Sequence, residues 1–150
     1  MPRSRARERT RLPESERPVA TPSSLELAHE VLEAISRRDV SRLIELARPD
    51  VEWRSFFAIG EGGAYRGHDG TRRYMRDLED AFNLGVAEVD DGVAVGDVAF
   101  LVGRLRFRGK GSGVESEAPA GWVLRFRAGK LVRFQAIRDP EQVLTELSDG

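Results

Sequence analysis

Residues 98–138 read VAFLVGRLRFRGKGSGVESEAPAGWVLRFRAGKLVRFQAIR and carry the strongest structural signal in the chain. Apolar and polar residues alternate along three stretches of this segment, which is the period of a strand rather than of a helix. Glycine-containing turns separate the stretches. Such short connections cannot cross over a sheet, so the strands form an antiparallel meander. We predict strands over about 86–95, 98–108, 113–127 and 130–138.

The charges predict how the second and third of these strands pair. A two-residue turn at Lys110-Gly111 places Arg104 opposite Glu117 and Arg106 opposite Glu115, so that opposite charges meet across the strands. The same register gathers apolar side chains on the other face: Leu101, Leu105, Phe107, Val114, Ala118, Ala120, Trp122, Leu124 and Phe126.

The last hairpin allows two registers. A two-residue turn would put Arg133 and Gln135 on the apolar face. A three-residue loop over 127–129, with a positive φ at its final glycine, puts Val132, Phe134 and Ala136 there instead. A slip of one residue inverts every side chain, so burial favours the second register.

The opposite face of this sheet is mixed in character. It carries Phe100, Val102 and Val123 among the charged residues Arg104 and Glu117. An apolar patch rimmed by charges is typical of an interface. We therefore predict a homodimer that forms through these five residues.

The first half of the chain reads as helices followed by one strand. Ser23 and Glu26 have the spacing of a capping box, and apolar residues then recur at helical period up to Ile35. Asp39 is placed to cap a second short helix that Pro49 ends. A strand with alternating side chains follows over 51–57, and then a glycine-rich loop over 60–67.

Two more helices complete the predicted fold. Asp69 is placed to cap a helix whose apolar stripe begins with Tyr74 and Leu78. Asp139 followed by Pro140 opens a last helix that runs to about residue 147. Helices that precede a run of strands predict an α+β fold.

Composition limits the class of protein. The chain has 150 residues, of which 33% are charged, and no cysteine, which suits one domain without disulfides. No apolar run approaches the length of a membrane span, so we expect no membrane partner. The predicted domain covers 23–148.

Residues 1–22 predict a disordered basic tail. They hold six arginines, three glutamates and four prolines, with little apolar area to bury. We favour a solvated tail over a nucleic-acid arm, because the glutamates dilute the charge and no aromatic residue interleaves. The tail lacks the apolar core of a signal peptide, so we expect a cytoplasmic protein.

Several motifs together resemble the nuclear transport factor 2-like superfamily, in its SnoaL-like and ketosteroid isomerase-like branch. They are RD at 38–39, RPDVEW at 48–53, YRGHDG at 65–70, GRLR at 103–106 with GSG at 111–113, and FRAGKLV at 126–132. This resemblance implies a cystatin-like cone: a curved antiparallel sheet packed with three or four helices around an apolar cavity, commonly as a homodimer. The superfamily holds isomerases, cyclases, hydrolases and non-enzymes, so the fold does not choose among activities.

The resemblance to ketosteroid isomerases does not extend to their chemistry. Those enzymes use a carboxylate base, a tyrosine and a protonated acid. A rough alignment puts Arg54, Val31 and Trp122 at these three positions, so steroid isomerisation is not expected. His68 and Asp139 are the remaining acid–base candidates, and other catalytic residues are unknown. We expect neither a metal nor a cofactor.

The candidate pocket residues are mostly aromatic: Trp53, Tyr65, Tyr74, Trp122 and Phe134, with Arg138 as a polar contact. They favour a SnoaL-like domain of undetermined activity that binds a hydrophobic small molecule. The alternatives are an isomerase, polyketide cyclase or hydrolase with a pocket acid or base, and an interaction domain that acts through its open sheet face.

Overall fold

The computed structural model describes residues 23–55, 64–109, 111 and 113–149. The predicted tail over 1–22, Phe57 and the part of the predicted glycine-rich loop over 60–63 lie outside these residues, and the rest of that predicted loop is a short strand and a helix start. Within them the fold is α+β, as predicted. Its helices are α1 (Ser24–Arg37), α2 (Val40–Leu46), α3 (Gly67–Ala81) and α4 (Pro140–Asp149), and its strands are β1 (Ala47–Arg54), β2 (Tyr65–Arg66), β3 (Phe82–Val95), β4 (Val98–Gly109), β5 (Glu115–Arg127) and β6 (Lys130–Ile137).

Local capping starts the first two helices where the sequence predicts. The Ser23 hydroxyl accepts a hydrogen bond from the backbone N–H of Glu26 at 3.1 Å, and the Glu26 carboxylate accepts one from the Ser23 N–H at 2.9 Å. The Asp39 carboxylate accepts from the backbone N–H of Arg42 at 3.1 Å and opens α2. These bonds satisfy N–H groups that a helix start leaves without partners.

Two predicted boundaries are wrong. α3 begins at Gly67, so Asp69 lies in its first turn instead of capping it, and its carboxylate accepts from Arg72 Nη1 at 2.9 Å. α2 ends at Leu46, and Pro49 lies inside β1. The pairing of β1 is irregular around that proline, which leaves room for a residue without an N–H.

The strands form one curved six-stranded sheet in the order β2-β1-β6-β5-β4-β3. The predicted antiparallel meander is confirmed for β3 to β6. β1 differs, because it pairs with β6 in parallel. The chain between these two strands includes α3 and four other strands, so it is long enough to bring them side by side in the same direction.

The β4–β5 register is shifted by two residues from the prediction. Arg106 lies opposite Glu117 and Arg108 opposite Glu115, because the connecting loop spans 110–113 and not two residues. A shift of two leaves every side chain on its predicted face. Arg104 still reaches Glu117 diagonally, with 3.4 Å between Nη1 and Oε2.

The β5–β6 hairpin combines the two predicted alternatives. Arg127 pairs with Lys130, so the turn has two residues, Ala128 and Gly129, with φ of 52° and 79°. Between Phe126 and Arg125, moving away from the turn, the register shifts by one residue, as in a β-bulge. The shift puts Phe134 opposite Leu124 and Ala136 opposite Trp122, so both lie on their predicted face, although the predicted three-residue loop would pair Phe134 with Trp122. It also buries Leu131 on this face in place of the predicted Val132, which is only half-buried.

Helices cover both faces of the sheet, which the sequence did not predict. The main core lies between the inner face of the sheet and the first three helices. α4 packs on the outer face, where Val143 joins Phe100, Val123 and Ile137 in a second core. Phe100 and Val123, which the sequence places in an exposed apolar patch, are instead covered by α4 and are only 5% and 1% exposed.

Gly121 sets how closely α4 approaches β5. A Cβ at this position would collide with Val143 Cγ2, so only glycine lets the helix lie at this depth. A strand glycine often marks such a close approach of another element.

Candidate functional site

Two adjoining cavities lie on the inner face of the sheet. The inner cavity has a volume of about 50 Å³ and is bounded by α1, α3 and five strands or strand ends. The outer cavity has a volume of about 420 Å³ and shares Leu105, Phe107 and Ala120 with the inner one. The remaining inner lining is Leu32, Ile35, Ser36, Arg38, Ser55, Tyr74, Leu78, Gly85, Ala87, Trp122, Phe134 and Ala136, and the remaining outer lining is Ala118, Pro119 and Arg138.

Four of the six predicted pocket residues line these cavities. Tyr74, Trp122 and Phe134 form an aromatic wall of the inner cavity, and Arg138 lines the outer one. Trp122 is placed on the face opposite Arg104, as the predicted alternation requires.

The other two predicted residues stand behind this wall. The Trp53 ring lies 5.2 Å from the Phe134 ring, and the Tyr65 ring lies 5.2 Å from the Tyr74 ring, measured between centroids. The Trp53 indole N–H donates to the Thr71 hydroxyl at 2.7 Å. These contacts hold the wall in position without exposing either ring to the cavities.

Among the residues that the structure describes, the inner cavity is lined by the polar side chains of Ser36, Arg38, Ser55 and Tyr74. The first three are absent from the sequence-derived candidates. Ser55 could have been found, because it continues the inward alternation of Val51 and Trp53. Ser36 could also have been found, because it lies in α1 four residues after Leu32, on the same side of the helix. Arg38 follows the end of α1, where helical periodicity no longer indicates the direction of a side chain.

Arg38 enters the cavity wall because it ends α1 in the left-handed conformation, with φ of 57°. Its Nη1 donates to the backbone oxygen of Ile35 at 2.7 Å and to that of Gly85 at 3.4 Å. Its Nε lies 3.4 Å from Glu79 Oε1, and the side chain is only 17% exposed. The guanidinium is thus held against β3, with its charge beside an apolar cavity.

Tyr74 remains protonated under ordinary conditions. Burial raises the pKa of its phenol to about 12, although a hydrogen bond with Ser55 and the nearby charge of Arg38 act in the opposite direction. The phenol is therefore a neutral hydrogen-bonding group at pH 7 and not a base.

The positions aligned with the isomerase residues lie in different surroundings. Val31 is fully buried in the main core and does not line either cavity. Arg54 points away from the cavities, with its Nε 2.8 Å from Glu52 Oε2. Ser55, the next residue, takes the inward position on β1. None of the described residues that line the two cavities has a carboxyl or imidazole group.

The two acid–base candidates lie elsewhere. The Asp139 carboxylate accepts from the backbone N–H of Glu141 at 3.0 Å and so opens α4. His68 is half-buried in the first turn of α3 and lines neither cavity. Among the residues that the structure describes, no three histidine, aspartate or glutamate side chains are grouped to hold a metal ion.

Alternating charges cover the exposed part of the outer face, and we call them the charge ladder. Arg104 lies within 3.3–3.5 Å of Glu88, Asp90 and Glu117, and Arg106 Nη1 lies 2.9 Å from Glu88 Oε2. Exposed pairs of this kind contribute little each to stability. Arg104 and Glu117, both predicted at a dimer face, therefore have partners within the chain.

No helix in the described ranges is long and apolar enough to cross a membrane.

Comparison with known proteins agrees on the family and the fold. A family model described as a SnoaL-like domain matches residues 28–134. A nuclear transport factor 2-like protein of unknown function from Burkholderia pseudomallei is 23% identical, with a TM-score of 0.69 over 81% of this chain and 95% of its own.

Two further solved structures contain small molecules. TerC, co-crystallised with polyporic acid, is 20% identical, with a TM-score of 0.68 over 85% of this chain and 98% of its own. A protein of ketosteroid isomerase-like fold from Catenulispora acidiphila, in complex with trimethylamine, is 17% identical, with a TM-score of 0.68 over 84% and 92%. None of the curated proteins compared with the chain matches it.

Proposed function

The chain belongs to the SnoaL-like domain family, and we propose that it binds a small, largely apolar molecule in the two adjoining cavities. The observation that carries this proposal is the outer cavity, whose volume of about 420 Å³ lies within the usual range for ligand sites. Leu105, Phe107 and Pro119 line it, and it adjoins the inner cavity with its few polar groups. Apolar walls with a small number of polar contacts are typical of a ligand site.

Binding without catalysis fits the described lining better than an isomerase, cyclase or hydrolase does. General acid–base catalysis needs a group that gains and loses a proton near neutral pH. The described lining offers only arginines, serines and Tyr74, whose pKa of about 12 keeps it protonated. An interaction domain has less support, because α4 covers the middle of the outer face.

Isothermal titration with single- and double-ring aromatic compounds tests the proposal. Benzamide, benzoate, 2-naphthamide and 2-naphthoate together sample two sizes and two charges. Ala118→Phe should weaken binding by at least about tenfold, because the added ring fills the outer cavity. Ser116→Phe is the matched control, since Ser116 is exposed on the same strand and lines neither cavity. If none of the four compounds binds at millimolar concentration, the proposal is wrong.

We also propose a homodimer, now centred on the edge of α4. Val93 and Leu144 are 43% and 57% exposed and border a shallow groove beside Val102 and Leu147. Exposed apolar side chains in one patch are typical of an interface. Sedimentation velocity at about 50 μM should give a dimer. Leu144→Glu should shift the protein to monomer, whereas Thr145→Glu on the same helix should not; a monomeric wild type contradicts the proposal.

The cytoplasmic location stays a prediction from the sequence.

A further inference from the structure

We infer that the ligand is an apolar carboxylic acid whose carboxylate binds Arg38, an inference that rests on the proposed function. The first support is the charge of the site. Among the described residues, the lining of the two cavities includes two arginines, Arg38 and Arg138, and no carboxylate. A cationic group in a low-dielectric cavity favours an anion and disfavours an amine.

The second support is the hydrogen-bonding capacity of Arg38. Its Nη1 serves two backbone oxygens, which fixes the plane of the guanidinium. Its Nε is buried and has no hydrogen-bond partner among the described residues. Glu79 Oε1 lies 3.4 Å from this Nε, but the Glu79 side chain is 57% exposed, so solvent screens its attraction to Arg38. A buried charged donor without a partner costs free energy that a ligand oxygen would recover.

The third support is size. One water molecule needs about 10–15 Å³ of cavity volume, so the inner cavity of about 50 Å³ holds only a few heavy atoms. A carboxylate group, with three heavy atoms, is of this size. Its oxygens could accept from Arg38 and from the Ser36 hydroxyl, which already accepts from the Ala87 N–H at 3.2 Å and retains its own proton. The apolar body of the ligand would then occupy the outer cavity against Leu105 and Phe107.

Two probes of equal shape and different charge test this inference. 2-Naphthoate and 2-naphthamide differ only in their polar end, and isothermal titration at pH 7.5 gives the affinity of each. We expect wild-type protein to bind naphthoate at least about tenfold more tightly, because hydrogen bonds between charged groups are the stronger ones. Arg38→Gln should remove this preference while naphthamide affinity changes less than about twofold.

A neighbouring arginine is the matched control. Arg37 is 71% exposed at its side chain and pairs with Glu33 on the solvent side of α1. Arg37→Gln should leave the affinity of both probes unchanged. If it lowers naphthoate affinity as much as Arg38→Gln does, the effect comes from general charge, and the inference is overturned.

Glu79→Gln tests the inference without removing Arg38 from the wall. Loss of the competing carboxylate should raise naphthoate affinity about twofold to tenfold and leave naphthamide affinity unchanged. This variant decides the matter if Arg38→Gln fails to fold. Equal binding of both probes by wild type overturns the carboxylate inference and leaves the proposed function standing. Failure of both probes to bind overturns the carboxylate inference and counts against the proposed function.

Discussion

Tyr74 contributes both to the stability of the fold and to the lining of the inner cavity. Its ring packs against Trp53 and Tyr65, with centroids 5.5 Å and 5.2 Å away, and the residue also lines the inner cavity. Burial raises the pKa of this phenol to about 12 from an ordinary value of 10.0. The site thus gains a neutral donor, and the fold acquires a sensitivity to high pH.

Stability should fall between pH 10 and pH 12 because of Tyr74. Below pH 10 both the folded and the unfolded chain keep the proton. Above it the unfolded chain ionises first, because the folded phenol ionises only near pH 12, so the free energy of unfolding should be lower by about 2–3 kcal/mol at pH 12 than at neutral pH. Urea unfolding at several pH values measures this. Tyr74→Phe is the comparison, and parallel curves for the two proteins would contradict the assignment.

The two tryptophans should differ in their contribution to stability. Trp122→Ala should cost about 3 kcal/mol, the lower end of the usual range, because one side of its ring already borders a cavity. Trp53→Ala should cost more, about 4–5 kcal/mol, because that side chain is fully buried and donates to Thr71. Urea unfolding compares them, and each variant keeps the other tryptophan as its fluorescent reporter. A larger loss for Trp122→Ala would contradict this placement.

At the scale of elements, α4 is the helix whose position the sequence left undetermined. Its apolar residues Val143 and Leu147 face the second core on the outer side of the sheet. The contact with β5 is close because Gly121 has no side chain. This helix therefore decides how much of the outer face is left for a partner.

Gly121→Ala should destabilise the fold by about 1–3 kcal/mol, because the new methyl group overlaps Val143 Cγ2. The double variant Gly121→Ala with Val143→Ala should be more stable than the sum of the two single effects predicts, since the colliding group is gone. A double-mutant cycle by urea unfolding measures the coupling. Simple additivity would mean that α4 does not pack on Gly121.

At the scale of the whole molecule, the predicted tail should be separable from the fold. Deletion of residues 1–20 should change the free energy of unfolding by less than about 1 kcal/mol, because that segment has little apolar area to bury. Ser23→Ala is the contrasting change and should cost about 1 kcal/mol through loss of the capping box. A tail deletion that costs more than Ser23→Ala would show that the tail docks on the domain.

The family and fold were within reach of the sequence because the informative signals are local. Capping at Ser23 and Asp39 and alternation along β3 to β6 depend on residues close in the chain. The exact ends of the helices were harder to predict from the sequence. α3, for example, begins at Gly67, although Asp69 was expected to cap it. Several residues in that region have the propensity to start a helix, and packing selects among them.

The sequence by itself determined which side chains of β4 and β5 share a face of the sheet. Side chains alternate with a period of two, so the β4–β5 register could be wrong by two residues and still leave Trp122 inside and Arg104 outside. Only the tertiary structure decided that α4 covers Phe100 and that Arg38 lines the inner cavity. Arg38 reaches the backbone oxygen of Gly85, 47 positions along the chain, and α4 meets strands laid down well before it. Such contacts join distant segments, and their geometry follows from the packing of the whole fold and not from local periodicity.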